Sequence, residues 1–258
     1  PLAKQSAEMP PENQKLRWNM SRGNWVDADF SGLKNLHEKF SSSNMLRCKF
    51  IGSVLSGLLL KYNNVEGCDF SDSNLNKCRI QNSNLSRNLL NACSLKEMEC
   101  SGSNISGCKF VGSDFVGAMF LKNNNIGGCD FSSSAFSSSH VQNSNLDDDS
   151  FKDCLFREAK FSGSYIQSCD FSGVDFTGAV INAGGFQKNN VSNALWNRTS
   201  FIDSLISDVV FEGTMRDCYF ENCAFKKVTF QNLTLVDTFF KNKSLKGIRF
   251  INCKADRM

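Results

Sequence analysis

Proline is absent after position 11; the chain of 258 residues holds three, Pro1, Pro10 and Pro11. Everything beyond keeps its backbone N–H groups, which suits continuous hydrogen-bonded structure. Histidine is nearly absent as well, with His37 and His140 alone, and no Cys-x-x-Cys pair occurs. The twelve cysteines therefore have no usual zinc partner set, and no metal site is assigned. No Gly-x-Ser-x-Gly motif and no arguable nucleophile–base pair is present, so no catalytic or cofactor-binding residue is assigned either. No run of 18 apolar residues exists, so nothing is read as spanning a membrane. A charge excess is missing too. With 29 basic and 26 acidic residues the net charge is +3, which argues against a dedicated nucleic-acid binder.

What the chain has is a period. Apolar residues make up 41% and charged residues 21%, which is not a disordered composition. From Phe40 to Phe120 every fifth residue is apolar; the frame then slips forward by one. From Ile126 to Phe211 every fifth residue is again apolar, the frame slips back by one, and Met215 to Phe250 continues it. All 43 positions obey the rule, far beyond what the apolar fraction allows by chance. A helix repeats at 3.6 and a strand at 2, so neither explains a period of five.

A second regularity accompanies the first. Two places before each apolar centre the residue is usually small, as at Ser73, Cys78, Ser83, Cys93, Ser103, Cys108, Ser113 and Ala118, and the other places are mostly polar. Two inward residues separated by one outward residue describe a very short strand and a turn. Such a unit cannot bury its own centre and must stack on copies of itself, as in a solenoid.

Pentads such as Cys68-Asp69-Phe70-Ser71-Asp72 and Ser73-Asn74-Leu75-Asn76-Lys77 resemble the pentapeptide-repeat family, whose usual unit is Ala-Asp/Asn-Leu-x-x. The resemblance covers about residues 40–252, with Phe used for Leu and Cys or Ser for Ala. It implies an all-β fold, a right-handed quadrilateral parallel β-helix with four pentads per coil. The period then predicts about 10–11 coils over residues 40–258, preceded by an N-terminal segment and cap over 1–39. Within that cap "PPENQKLRWNMSRG" is expected to form a short helix from near Pro11 to near Gly23, and Trp25 and Phe30 a first irregular coil. Four pentads per coil stack positions 20 apart. Asn44, Asn64, Asn84, Asn104, Asn125 and Asn145 then fall in one column and predict an amide ladder that crosses the first slip unbroken. Phe50, Phe70, Phe110, Phe131, Phe151, Phe171, Phe211, Phe230 and Phe250 share a column with Leu90 and Val191 and predict a stacked spine.

The same frame places ten of the cysteines in the small inward slot and makes Cys100 a centre. They read as small buried hydrophobes and free thiols of a reducing compartment. Asp147 and Asp148 are ordinary outward positions, Asp149 falls in an inward slot, and no glycine-rich calcium-binding nonapeptide accompanies them. Outward positions carry the functional signal. Val180, Ile202, Tyr219 and Phe239 are apolar or aromatic on one face of a surface that is otherwise Ser, Asn and Lys, and they are the candidate partner-binding residues. Leu59, Tyr62, Met119 and Leu121 lie earlier on that face.

The Phe-, Ser- and Cys-rich pentads, the polar N-terminal segment and a C-terminal end with no cap of its own resemble the β-helix domain of secreted bacterial HECT-like E3 ubiquitin ligases of the SopA/NleL type. The resemblance implies a recruiting domain that binds host proteins, including RING-type TRIM ligases, in the host cytoplasm. It also implies a catalytic Cys beyond Met258 and a further domain seated on the C-terminal end. None of the twelve cysteines takes the catalytic role. The alternative is a stand-alone pentapeptide-repeat protein that binds topoisomerase as a DNA mimic. Such mimics resemble duplex DNA through strong acidity, and the net charge of +3 disfavours it.

Overall fold

The structure, a computed structural model, describes residues 19–34, 36 and 39–258. It is an all-β parallel solenoid of about twelve coils. Each coil has four sides. One side is an eleven-stranded parallel sheet of three-residue strands running from Asn24–Val26 to Ala224–Lys226. Another is a ten-stranded parallel sheet from Leu59–Lys61 to Phe239–Lys241. The remaining two sides begin as rows of single parallel bridges, such as Asp29 to Lys49 and Val54 to Asn74. Near the C-terminal end these rows merge into longer strands, Val210–Arg216 and Val228–Val236.

The pentad explains each side. The centre and the slot residue two before it point inward, and 40 of the 43 centres are buried; only Phe240, Leu245 and Phe250, all in the last coil, are not. Each buried Phe contributes roughly 1.5–3 kcal/mol of transfer free energy. The residue two after the centre turns the corner in the left-handed region, as at Asp72 (φ 60), Lys77 (φ 57), Asn82 (φ 49) and Arg87 (φ 53). That conformation favours Asn, Asp and Gly, which accounts for their abundance there. The slot is selected for more than size. Ser73 Oγ donates to the Phe50 carbonyl at 2.6 Å, Cys93 Sγ to Phe70 at 3.0 Å and Cys154 Sγ to Phe131 at 3.0 Å. A small inward donor thus reaches a carbonyl of the previous coil, which is why Ser and Cys replace Ala.

Both frame slips are local. Lys122 and Asn123 are both left-handed, so one extra residue is absorbed at a corner. The ladder passes it intact, with Asn125 paired to Asn104 and its Nδ2 donating to Asn104 Oδ1 at 3.0 Å. At the second slip Val210–Arg216 runs straight through a corner, and the register jumps between Phe211 and Gly213. The amide ladder is one residue longer than expected, because Asn44 Nδ2 also reaches Asn24 Oδ1 at 2.8 Å. Coil pairing accordingly starts at Asn24–Val26, and Asp29 bridges Lys49. With this first coil included the count is about twelve, against the 10–11 predicted over residues 40–258. The helix expected over 11–23 lies mostly outside the described residues; Ser21 and Arg22 form a turn.

The phenylalanine spine is present as stacked rings. Phe50 lies 4.6 Å from Phe70, Phe110 4.7 Å from Phe131, and Phe131 4.9 Å from Phe151, each pair with nearly parallel planes. A second stack, Phe115 to Phe136 at 4.6 Å and Phe136 to Phe156 at 4.8 Å, runs beside it and meets it edge-on.

Candidate partner-binding face

Val180, Ile202, Tyr219 and Phe239 lie on the ten-stranded sheet in four consecutive coils. The register of their strands runs Val180, Ser200, Tyr219, Phe239 in one outward column, and Asn182, Ile202, Glu221, Lys241 in the other. Tyr219 and Phe239 are direct cross-strand partners. Val180 meets Tyr219 only across Ser200, and Ile202 stands beside that serine. Phe239 is 49% exposed, while Val180, Ile202 and Tyr219 are half-buried between the rows. The result is a short apolar strip with an exposed aromatic at its C-terminal end.

A charged pair borders it. Lys241 Nζ lies 2.8 Å from Glu221 Oε1, and this contact holds the Glu221 carboxyl below its ordinary range. The pair is well exposed and stabilises little. Toward the N-terminal end the column continues through Lys160, His140 and Met119. Partial burial, and then Lys160, lower the His140 pKa below the ordinary imidazole value.

Other exposed apolar residues were not singled out from the sequence. Tyr165 (59% exposed) and Leu205 stand on the asparagine face, and Leu155 and Leu195 on a bridged side. Tyr165 follows Asn145 in the ladder column, and the column position alone marked it as the break in a run of asparagines. Beside it lies an open groove of about 580 Å³ lined by Asn125, Asn145, Gly127, Asp147, Tyr165 and Gln167.

The interior thiols differ: a hydrogen bond shared with Cys68 lowers the Cys48 pKa, and one shared with Cys129 lowers that of Cys108. Burial pushes the pKa of Cys93, Cys100 and Cys154 up to about 12, so each is a protonated donor and a poor nucleophile. Among the described residues no group of three or more His, Cys, Asp or Glu side chains is arranged to hold a metal ion, and no helix is long and apolar enough to cross a membrane.

This geometry defines a protein class, the β-solenoid built from five-residue units with four units per coil. The family model for pentapeptide repeats matches eight copies over residues 59–88 and 150–182. Those matched stretches are similar to pentapeptide repeats, and the rest of the solenoid continues the same five-residue geometry. Among solved structures the chain is similar to HetL, a pentapeptide repeat protein involved in heterocyst differentiation regulation from the cyanobacterium Nostoc sp. strain PCC 7120. The identity is 14%, over 70% of this chain and 88% of HetL, with a TM-score of 0.44. It is similar to trypsin-treated QnrB1, a plasmid-mediated fluoroquinolone resistance protein, at 17% identity over 90% and 91% of the two chains, with a TM-score of 0.36. It is also similar to Rfr23, a pentapeptide repeat protein from the cyanobacterium Cyanothece 51142, at 11% identity over 69% and 88%, with a TM-score of 0.21. No curated protein matches the sequence.

Proposed function

We propose that this solenoid is a recruiting scaffold that docks a protein partner along its ten-stranded face. The observation that carries the reading is the register pairing of Tyr219 with Phe239, flanked by Val180 and Ile202, on four successive coils. Aromatic side chains held by neighbouring strands lose little entropy on binding and carry a disproportionate share of interface energy. In the finer form of the proposal, the chain is the recruiting domain of a secreted bacterial effector of the HECT-like E3 ubiquitin ligase type. It acts in the host cytoplasm, takes a RING-type TRIM ligase as partner, and the catalytic cysteine and a further domain lie outside residues 1–258. The Phe-, Ser- and Cys-rich pentads support this form, as do thiols suited to a reducing compartment. A topoisomerase-binding DNA mimic fits less well, because basic residues outnumber acidic ones.

The test is calorimetric titration of purified TRIM-type RING ligases with the chain and with its Tyr219→Ala/Phe239→Ala variant. The variant is expected to bind at least tenfold more weakly while its melting temperature stays within a few degrees. Undiminished binding would remove this face from the proposal. No binding by the intact chain would remove the partner class. Residues 1–258 alone are expected to form no ubiquitin conjugate in a reconstituted assay, and autoubiquitination would overturn the recruiting role.

A further inference from the structure

Most polar side chains in the inward slots share one pattern, and Asp149 departs from it. Asn63, Asn88, Asn124 and Asn189 occupy inward slots, and each uses both ends of its amide. Asn88 Oδ1 accepts the Cys68 N–H at 2.9 Å, and Asn88 Nδ2 donates to the Val65 carbonyl at 3.0 Å. Asn189 Oδ1 accepts the Cys169 N–H at 2.9 Å, and its Nδ2 donates to the Ile166 carbonyl at 3.1 Å. Asn124 repeats the arrangement, and Asn63 does so with its Oδ1 accepting from Ser42, one residue before the slot. Most serines and cysteines in these slots donate either to the same carbonyl or to the one two residues before themselves, although Ser139 Oγ is buried without a partner. The slot therefore presents carbonyl oxygens and calls for a donor.

Asp149 lies in the same column as Asn88 and Asn189 and is only 2% exposed. Its Oδ1 accepts the Cys129 N–H at 2.8 Å, matching the asparagine Oδ1. Its Oδ2 occupies the place of the asparagine Nδ2 and is buried without a partner. By the spacing of Asn88 and Asn189, the carbonyl that awaits it is that of Ile126, with Asp147 supplying the other. An ionised carboxylate would set negative charge against carbonyl oxygens and leave a buried acceptor unmet, which costs far more than a satisfied group.

We propose that Asp149 carries a proton on Oδ2 in the folded coil, donates it to a backbone carbonyl as an asparagine would, and so makes this coil a pH-sensitive joint in the solenoid. Of the titratable groups around it, Asp147 and Asp148 disfavour its charge, while the Cys129 N–H bond favours it. Asp147 and Asp148 precede it, Cys129 and Asp130 come from the coil before, and Cys169 and Asp170 from the coil after. Burial first, and then the charges of Asp147 and Asp148, raise its pKa to about 7 from the ordinary aspartate value of 3.8. The folded value lies above the unfolded one, so the fold binds this proton more tightly than the unfolded chain does. Its contribution is complete at pH below about 4, is lost progressively as pH rises toward 7, and is flat above that.

The experiment is a pH series of thermal unfolding on the chain and on Asp149→Asn, with carboxyl NMR on the wild type. The two proteins are expected to melt together near pH 4. The Asn variant is expected to melt several degrees higher at pH 8, because it supplies the donor at every pH. In the wild type one aspartate Cγ is expected to titrate near pH 7, with the Cys129 amide shift following it. Parallel melting curves at every pH, or ordinary titration of every aspartate, would overturn the proposal. If Asp149→Asn does not fold, the wild-type Cγ and Cys129 titrations decide alone.

Discussion

At the scale of single residues, the aromatic centre and the slot donor do different jobs. Phe131 touches rings above, below and beside it: Phe110, Phe151, Phe115 and Phe136. Phe131→Ala is expected to cost about 3–5 kcal/mol, the range for buried aromatic truncation. Denaturant unfolding checks this against Tyr62→Ala, an exposed corner control, and an equal effect would show that the stack adds nothing. Slot donors are worth less. Cys93→Ala removes the bond to the Phe70 carbonyl and is expected to cost about 0.5–1.5 kcal/mol. Cys93→Ser keeps a donor and is expected to cost less than Ala; the reverse order would return the slot to a purely steric role. Centre and slot were both legible in the sequence, because burial filters residue type at those two positions. The donor role was not, since Cys, Ser and Ala share size and only geometry reveals the carbonyl. The left-handed corner was written in plain view as Asn, Asp and Gly at the pentad's last position, yet Lys77, Arg87 and Glu97 adopt it too and blur the signal.

At the scale of the coil, the extra residue at the corner after Phe120 tests whether register belongs to the column or to the count. Lys122 and Asn123 form a doubled left-handed corner, and Asn124 then fills the slot. Deleting Asn123 restores an ordinary pentad, with Lys122 as the corner and the present Asn124 still in the slot. The coil on either side pairs through side-chain amides and ladder bonds that the deletion leaves in place. The deletion variant is therefore expected to fold with a melting temperature equal to or above that of the parent. A fall of many degrees would mean that the bulge itself is required for packing. The asparagine column made this slip readable in advance, since a side-chain ladder tolerates no shift to another column. The second slip was readable as a break in period but not as a shape. One missing residue straightens a corner into the strand Val210–Arg216, and nothing local in "FEGTM" distinguishes that from a tighter turn.

At the scale of the whole molecule, each coil touches only its neighbours, so stability varies along the axis. The interior coils are covered on both sides. The last is covered on one, and Phe250, though stacked on Phe230 at 5.2 Å, is 43% exposed. Amide exchange is expected to be fastest over residues 239–258 and slowest around the stacked phenylalanines of residues 110–171. Uniform protection up to the C-terminal coil would contradict nearest-neighbour coupling. The candidate face was legible as a chemical anomaly among polar outward positions, and the register confirms a shared sheet for its residues. What the sequence could not convey is that comparable apolar residues, Tyr165 and Leu195, stand on other sides, because outward exposure depends on how each side chain lies over its neighbours. The same exchange experiment separates these sides. Phe239 belongs to the coil expected to be least protected, and Tyr219 to the one beneath it. A partner docking on the ten-stranded face should slow exchange at Tyr219–Glu221 and Phe239–Lys241 by tenfold or more, and leave Asn145–Asp147 and Tyr165–Gln167 unchanged. Slowing confined to those latter strands would move the docking site to the asparagine face around Tyr165.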